Sequence, residues 1–349
     1  MLILGIETSC DDTGIAVVEV APTRVGVVFN ILSNTISSQI KTHAPFGGVV
    51  PNLAAREHLK NIEPCLKTAL KEAGITPKQV DLIAVTIGPG LIPSLLIGVN
   101  FAKALAYRFN KSIIGVNHLE GHIVAALNGE NSKFLPAIAL VVSGGHTQLV
   151  LMKKINDYKI IGETRDDAAG ECFDKVAKLL RLGYPGGPIV AKKAAKYQPT
   201  ADHPQGGKIH LPRPMINHKN YDFSFSGLKT AVLYLTKDNK NKIKDKQFIQ
   251  ELCRETQQAI IDVLIDKTLR AAQEYKAKTI ILSGGVAANE ELRKQLQATS
   301  YKLQADFLVP PKNLCMDNGT MIAMAGFFNQ KEATKNYSKI LANSNLRLS

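Results

Sequence analysis

The sequence predicts an α/β protein of two related lobes, each built on a mixed sheet. Three observations predict it. The chain has 349 residues, more than one core usually organises. A three-strand meander followed by helix, strand and helix occurs twice along it. Each meander turns at a Gly- or Asp-rich hairpin.

The elements follow in order. Leu2–Glu7, Gly14–Val20 and Gly26–Leu32 read as strands, the first two joined by the turn Ser9-Cys10-Asp11-Asp12-Thr13-Gly14. Leu53–Ala73 reads as a helix and Leu82–Ile87 as a strand. Gly88-Pro89-Gly90 breaks the chain before a helix at Ser94–Phe109. Strand Ile113–Val116 leads into a short helix that carries His118 and His122. The pattern then restarts with strands Ala137–Val142, Thr147–Met152 and Tyr158–Glu163, the turn Ser143-Gly144-Gly145-His146 joining the first two. Helices are expected at Glu171–Leu180, Ile189–Tyr197 and Gln247–Glu274. Strand Thr279–Leu282 ends in Ser283-Gly284-Gly285 with a helix behind it, and a last helix, Asn318–Phe328, follows Asp317.

This duplicated build is that of the actin/Hsp70/sugar-kinase (ASKHA) class. There, the first hairpin turn of each lobe offers backbone N–H groups to nucleotide phosphates. Residues 1–134 are expected as the N-terminal lobe, closed by the C-terminal helix 300–349. Residues 135–299 are expected as the C-terminal lobe, facing it across a cleft.

Composition narrows the function. Hydrophobic residues make up 45% and charged residues 21%, as in a soluble globular protein. The longest apolar runs are strand-length or interrupted by Gly and Asn, so no membrane span is expected. Met1–Gly14 lacks the basic start and cleavage site of a signal peptide. Five cysteines (Cys10, Cys65, Cys172, Cys253, Cys315) form no close pairs, which points to a reducing cytoplasm rather than a disulfide or Cys-zinc framework. The net charge of +13 is concentrated. Between Ala191 and Lys246 stand twelve Lys/Arg against four Asp. That surplus suits a polyanion, and a solvated lysine-rich surface is the plainer account of it.

His118-Leu119-Glu120-Gly121-His122 is the most specific local signal. Two imidazoles four residues apart share one helix face, a common way to place two nitrogen ligands on one metal. Zinc peptidases of the His-Glu-x-x-His kind put the glutamate beside the first ligand. Here Glu120 lies roughly 200° round the helix from His118 and points away. The motif therefore indicates a metal more than a peptidase. The plainer alternative is a pair of histidines that cap or pack.

Taken together, the motifs resemble one family. Gly5-Ile6-Glu7-Thr8-Ser9-Cys10-Asp11-Asp12-Thr13, His118-Leu119-Glu120-Gly121-His122, Val142-Ser143-Gly144-Gly145-His146-Thr147 and Asp166-Asp167-Ala168-Ala169-Gly170-Glu171 are similar to the TsaD family. So are Phe173-Asp174-Lys175, Tyr184-Pro185-Gly186-Gly187-Pro188, Phe223-Ser224-Phe225-Ser226-Gly227-Leu228-Lys229-Thr230, Ser283-Gly284-Gly285-Val286-Ala287-Ala288-Asn289 and Asp317-Asn318-Gly319. They occur in family order from residue 5 to about 326, with bacterial wording.

The resemblance implies a two-lobed ASKHA fold and an acyltransferase active on tRNA. Such an enzyme moves the threonylcarbamoyl group from threonylcarbamoyl-AMP to the N6 amine of adenosine 37, in tRNAs reading codons that begin with A. It implies one divalent metal ion per subunit, Fe2+ or Zn2+, on His118, His122 and Asp317. It implies donor contacts at Val141, Val142, Ser143, Gly144, Gly145, Asp174, Gly187 and Asn289. It also implies helpers: an inactive paralogue of the TsaB kind, pairing through the N-terminal lobe, and a P-loop ATPase of the TsaE kind. One departure stands out. Four residues beyond Gly187 the chain has Ala191, where many bacterial members carry an acidic residue that touches the ligand. That interaction is missing here or is made by another residue.

Residue chemistry agrees with these roles and leaves plainer ones beside them. Asp317 precedes a helix and can be its N-cap, its metal ligand or both. Ser143-Gly144-Gly145 leaves backbone N–H groups uncovered for anionic oxygens, or is a plain hairpin turn. Asp174 accepts from ribose hydroxyls or pairs with Lys178 at i+4. Asn289 bonds an adenosine edge or caps its helix. Asp11 is the expected catalytic carboxylate, taking a proton from the attacking adenine amine; alternatively it bonds its own turn. Two further function classes compete: a zinc endopeptidase, and an Hsp70/actin-like ATPase scaffold, which leaves the histidines and Asp317 unused.

Overall fold

The computed structural model describes residues 1–23, 26–127, 134–198 and 207–348. Part of the basic segment, 199–206, lies outside the described residues. The chain divides into two compact units, the first made of Met1–Leu135, Met152–Lys159 and Leu308–Ser349 and the second of Pro136–Leu151 and Ile160–Phe307.

In the first unit, β1 (Leu2–Glu7), β2 (Asp12–Thr23), β3 (Gly26–Ser38), β4 (Leu82–Gly88) and β5 (Ser112–Asn117) form a sheet of order β3-β2-β1-β4-β5. β1 and β2 are antiparallel, with Glu7 opposite Gly14, while β1 and β4 run parallel, as do β4 and β5. Side chains alternate across the strands. Leu4, Ile6, Ile15, Val17, Ile83 and Val85 face a core with Ile62 and Leu66 of α2 (Pro51–Ala73) and Val99 and Ala102 of α3 (Ile92–Phe109). Gly5 and Gly14 lie against α10 (Gly319–Phe328), and a Cβ on Gly5 would stand 2.0 Å from Gly319 O. No side chain fits there, so the glycines set how closely α10 seats on the hairpin. The first unit also holds a four-residue helix, α1 (Ile40–His43), and α4 (His118–Ala125).

The second unit repeats the plan. β6 (Ala137–Val142), β7 (Thr147–Lys154), β8 (Asp157–Glu163), β9 (Thr279–Ser283) and β10 (Asp306–Leu308) form a sheet of order β10-β9-β6-β7-β8. Started from the third strand of each set, the two orders match strand for strand. The unit adds α5 (Ala169–Leu179), α6 (Gly186–Ala194), α7 (Ser226–Asp238), α8 (Lys246–Glu274) and α9 (Glu290–Lys302).

Several boundaries differ from the sequence reading, each for a local reason. β3 runs six residues past Leu32, as an edge strand whose last six residues are polar except Ile36 and so lack apolar alternation. α6 starts at Gly186 rather than Ile189, because Asp174 Oδ1 accepts from Gly186 N at 2.6 Å. α7 is a helix that the sequence pattern does not predict. Residues 300–349 hold the end of α9, then β10, Pro310-Pro311, a 3₁₀ turn at Lys312–Leu314, α10 and two further 3₁₀ turns, rather than one closing helix. The two prolines bar a continuous helix. No helix of the described residues is long and apolar enough to cross a membrane.

Candidate metal centre and glycine turns

β5 ends at Asn117, whose Oδ1 accepts from Leu119 N at 2.9 Å and so starts α4. That cap fixes where the first helical turn begins, and His118 and His122 then stack on one side. Their ring centroids are 4.7 Å apart at 81°. Asp317 approaches from the segment before α10, with Oδ1 at 3.6 Å from His118 Nε2 and 3.2 Å from His122 Nε2. One ligand atom from each residue lies within 4.8 Å of the others. Both histidines are buried. Neither ring nitrogen of His122 makes a hydrogen bond, and Nε2 is the one that faces Asp317. A buried imidazole nitrogen without a bond is costly in a protein, and a cation between the three side chains removes that cost. The donor set, two imidazoles and one carboxylate, suits Fe(II) or Zn(II).

Glu7, at the end of β1, is fully buried behind His118. Its Oε2 accepts from His118 Nδ1 at 3.1 Å and from Thr86 Oγ1 at 2.6 Å, while Oε1 accepts from Ser9 N at 2.5 Å. Nδ1 of His118 therefore carries the proton, and Nε2 is left facing Asp317 and His122. Burial opposes charge on both partners, yet the pairing wins. The His118 charge and hydrogen bond hold Glu7 below its ordinary value of 4.5. The Glu7 and Asp317 carboxylates lift His118 to about 9.

The first hairpin turn is fastened from the segment before α1 and from α2. His58 is buried and kept neutral by that burial. Its Nε2 donates to Cys10 O at 3.0 Å, and its Nδ1 accepts from Thr13 Oγ1 at 2.8 Å. Gln39 N donates to Asp11 O at 3.1 Å. Asp11 is half-buried, and burial together with Asp317 raises its pKa. Asp12 is buried, its Oδ1 has no hydrogen-bond partner, and burial with Asp317 lifts it to about 7.

In the second unit the glycine turns gather. Gly170 N, at the start of α5, donates to Ser143 O at 3.2 Å, and a Cβ on Gly170 would stand 2.5 Å from that oxygen. Gly284 has φ +87° and lies against Val142 O, where a Cβ would stand 2.4 Å away. Asp174, on α5, holds Gly186. Val141–Gly145, Asp174, Gly187 and the turn before Asn289 are thus joined through α5 and β9. At Gly144, Gly145 and Gly187 a Cβ would meet nothing within 4 Å, so their backbone faces open space. Asn289 is the N-cap of α9: Oδ1 accepts from Leu292 N at 3.0 Å and Nδ2 donates to Gln257 Oε1 at 2.9 Å.

A family model described as "TsaD: tRNA N6-adenosine threonylcarbamoyltransferase" matches residues 30–324. The chain belongs to the TsaD family. Curated relatives of that name include one from Thermosipho africanus, 45% identical with both chains covered in full. One from Persephonella marina is 45% identical over 97% of this chain and 93% of its own. One from Bacillus cereus is 47% identical over 93% and 90%. Among solved structures, HypF from T. kodakarensis aligns with 96% of this chain at TM-score 0.57 and 14% identity. This chain spans 48% of that protein's length, so the likeness concerns the fold alone.

For Asp317 of this TsaD member the sequence leaves alternatives open, and the structure separates them. Asn318, not Asp317, caps α10: its Oδ1 accepts from Met321 N at 3.0 Å, which leaves the Asp317 carboxylate turned to the histidines. Glu120 does point away from them. It bonds Tyr158 and Asn329. Glu7 lies within a TsaD motif, yet nothing in the sequence marks its role. Its partner lies 111 residues along the chain, beyond the reach of any local spacing.

Proposed function

We propose how these residues perform the TsaD reaction, transfer of a threonylcarbamoyl group to N6 of adenosine 37 in tRNAs that read codons beginning with A. The centre at His118, His122 and Asp317 holds one divalent ion, Fe2+ or Zn2+, and the donor is threonylcarbamoyl-AMP. The observation that carries this reading is the three-residue donor set with an unbonded His122 nitrogen in its middle. When bound, the ion supplies Lewis acidity to the carbonyl of the mixed carbamic–phosphoric anhydride.

The protein's own groups do the rest. Glu7 keeps His118 in the tautomer that presents Nε2. The amides of Gly144, Gly145 and Gly187, whose backbone faces open space, receive anionic or ribose oxygens of the donor; Ser143 N donates to His146 O at 2.8 Å and shapes that turn, and Asp174 holds the turn at Gly186. Asn289 lines the same turn system from the start of α9. Asp11 takes the proton from the attacking amine. N6 bonds to the carbamoyl carbon, the carbon–oxygen bond to the phosphate breaks, and AMP leaves with that electron pair. Burial and Asp317 raise the Asp11 carboxyl toward the working pH, which strengthens it as a base.

The polyanion surface is supported on α7 and the turn after it. Lys237, Lys240, Lys242, Lys244 and Lys246 stand there, on a largely exposed stretch. Tyr234 is 60% exposed, with Lys237 Nζ 6.0 Å from its ring centre. Arg213, by contrast, is bound by Glu255 and Asp262 and offers little to RNA. For helpers, we assign a TsaB-type paralogue to the first unit, where α2 and α3 leave Leu59, Ile92 and Leu96 exposed. A TsaE-type P-loop ATPase is the second helper in this reading, supported by the family resemblance alone. Five free cysteines and a tRNA substrate support the cytoplasm as the compartment of this reading. The endopeptidase reading lacks a base, because Glu120 is committed elsewhere.

The test supplies purified protein, helpers, adenylate donor and tRNA, and follows labelled threonine into tRNA alongside metal content. Incorporation that depends on bound metal is expected. No incorporation with all components present and metal bound would sink the proposal.

A further inference from the structure

Glu120 is a buried carboxylate between the two metal-ligating histidines in sequence, and the reaction as described leaves it unused. Its Oε1 accepts from Asn329 Nδ2 at 2.8 Å and from Tyr158 Oη at 3.2 Å. Asn329 closes the C-terminal end of α10, where its backbone N donates to Ala325 O at 3.1 Å. Asn329 Oδ1 in turn accepts from Asn156 Nδ2 at 2.8 Å, and that amide also donates to Phe328 O at 3.1 Å. Asn156 and Tyr158 belong to the hairpin tip Met152–Lys159, which groups with the first unit.

The three ligands come from two elements. α4 carries His118 and His122, and Asp317 stands just before α10. The helices meet at Gly121, where a Cβ would lie 3.0 Å from Ile322 Cδ1 and 3.2 Å from Met321 Cγ. Apolar packing around a glycine resists separation but hardly resists rotation. An imidazole nitrogen about 6 Å from the axis moves about 2 Å for a turn of about 20°, enough to break a ligand set. On one side of the Gly121 contact the imidazoles face Asp317. On the other, Glu120 is bonded to the far end of α10. Those bonds are directional and buried, which is how polar groups set register in an apolar interface.

We propose that Glu120 is a positioning residue of the metal centre: with Asn329 and Tyr158 it locks the rotation of α4 on α10 and thereby holds His118 and His122 opposite Asp317. The proposal rests on the metal reading of those three residues. Glu120 touches neither ion nor substrate.

The experiment titrates Co2+ into the purified, metal-stripped full chain and reads the visible d–d absorption, with competition by Zn2+ for affinity. Circular dichroism and thermal midpoint are recorded for each variant. Wild type binds one Co2+, and His118→Ala abolishes the band. Glu120→Ala weakens affinity by about tenfold or more and changes band intensity, the usual scale for a group that orients ligands. Glu120→Gln recovers affinity to within about threefold, because its amide oxygen accepts the same two hydrogen bonds. Tyr158→Phe, which removes one of them, falls between. A folded Glu120→Ala protein with the wild-type spectrum and affinity overturns the proposal, as does Glu120→Gln behaving like the alanine variant. If Glu120→Ala does not fold, Tyr158→Phe and Glu120→Gln decide, and wild-type binding by Tyr158→Phe together with weakened binding by Glu120→Gln counts against it. Wild-type Co2+ binding by His118→Ala refutes the metal reading itself, a different failure.

Discussion

Glu7 and His118 make the centre respond to pH in a defined direction. The folded pKa of His118 is raised, from an ordinary 6.5 to about 9. Its contribution to metal-free stability is therefore complete below about pH 6.5 and is lost as pH climbs through 9. Glu7 is depressed, so its contribution holds above 4.5 and fades as pH falls through its lower folded value. Thermal melts of the metal-free protein should show a midpoint that declines from pH 6.5 to 9. A midpoint that rises there contradicts the pairing. Metal must displace the second His118 proton, on Nε2, while Nδ1 keeps its own against Glu7, so apparent affinity should tighten by about tenfold per pH unit between 7 and 9, as competitive titration would show. His118→Ala, His122→Ala and Asp317→Ala should each lose bound metal and transfer activity together; a variant that keeps full occupancy takes its residue out of the site. Asp11→Asn should lower kcat by about 10²–10⁴-fold while metal content stays unchanged. The histidine pair is visible in the sequence because i,i+4 spacing is local. The Asp317 carboxylate and the Glu7 partner cannot be placed by spacing, since only β1, α4 and α10 folding together bring them within reach.

Elements, not side chains alone, determine whether Asp317 arrives. α10 rests on Gly5 and Gly14 and is capped by Asn318, whose Nδ2 also donates to Met316 O at 2.7 Å. Asn318→Ala should cost about 1–2 kcal/mol of stability and weaken metal binding, since the residue beside Asp317 loses its hold. Denaturant melts and metal titration on the same sample check this; an unchanged melt would show that the cap is dispensable. Gly5→Val should destabilise further, because the added side chain meets the α10 backbone. Most elements are legible from period and punctuation: β1 and β6 match to the residue. α7 escapes the sequence pattern because nothing in its own residues announces a start. Asp166 supplies the start from another loop, accepting from Phe225 N at 2.8 Å and Ser226 N at 3.2 Å. The start of α6 reads three residues late for the same reason, as its first amide is held by Asp174 from across a turn. Caps supplied by distant side chains leave no local mark.

At the scale of the whole molecule, the repeated sheet order accounts for why a duplicated meander is visible: both copies obey one strand pattern. The copies diverge in their first turns. Asp11-Asp12 in one and Ser143-Gly144-Gly145 in the other put carboxylates in the first unit and two uncovered glycines, Gly144 and Gly145, in the second. An ATPase scaffold would need no such difference, nor the three ligands. Charge is the other molecular property. Reversing Lys240, Lys242 and Lys244 to Glu should weaken tRNA binding and flatten its salt dependence, by about 0.7–0.9 in slope for each phosphate that is no longer neutralised. Metal content should not change. A triple variant that binds tRNA like wild type across a salt titration moves the RNA footprint elsewhere.

The first unit is discontinuous. β1, its central strand, is made before every other strand of its sheet, yet the helix that covers Gly5 and Gly14 is not made until residues 319–328. Nearly the whole of the second unit is synthesised between the two. During translation, therefore, the later-encoded body can finish first, while the earlier one waits with one sheet face bare. A nascent chain of which residue 307 has just emerged from the ribosome should already protect Ala137–Val142 and Thr279–Ser283 from proteolysis and leave Leu2–Glu7 open to it. Protection of the opening strand would appear only after residues 308–349 have emerged.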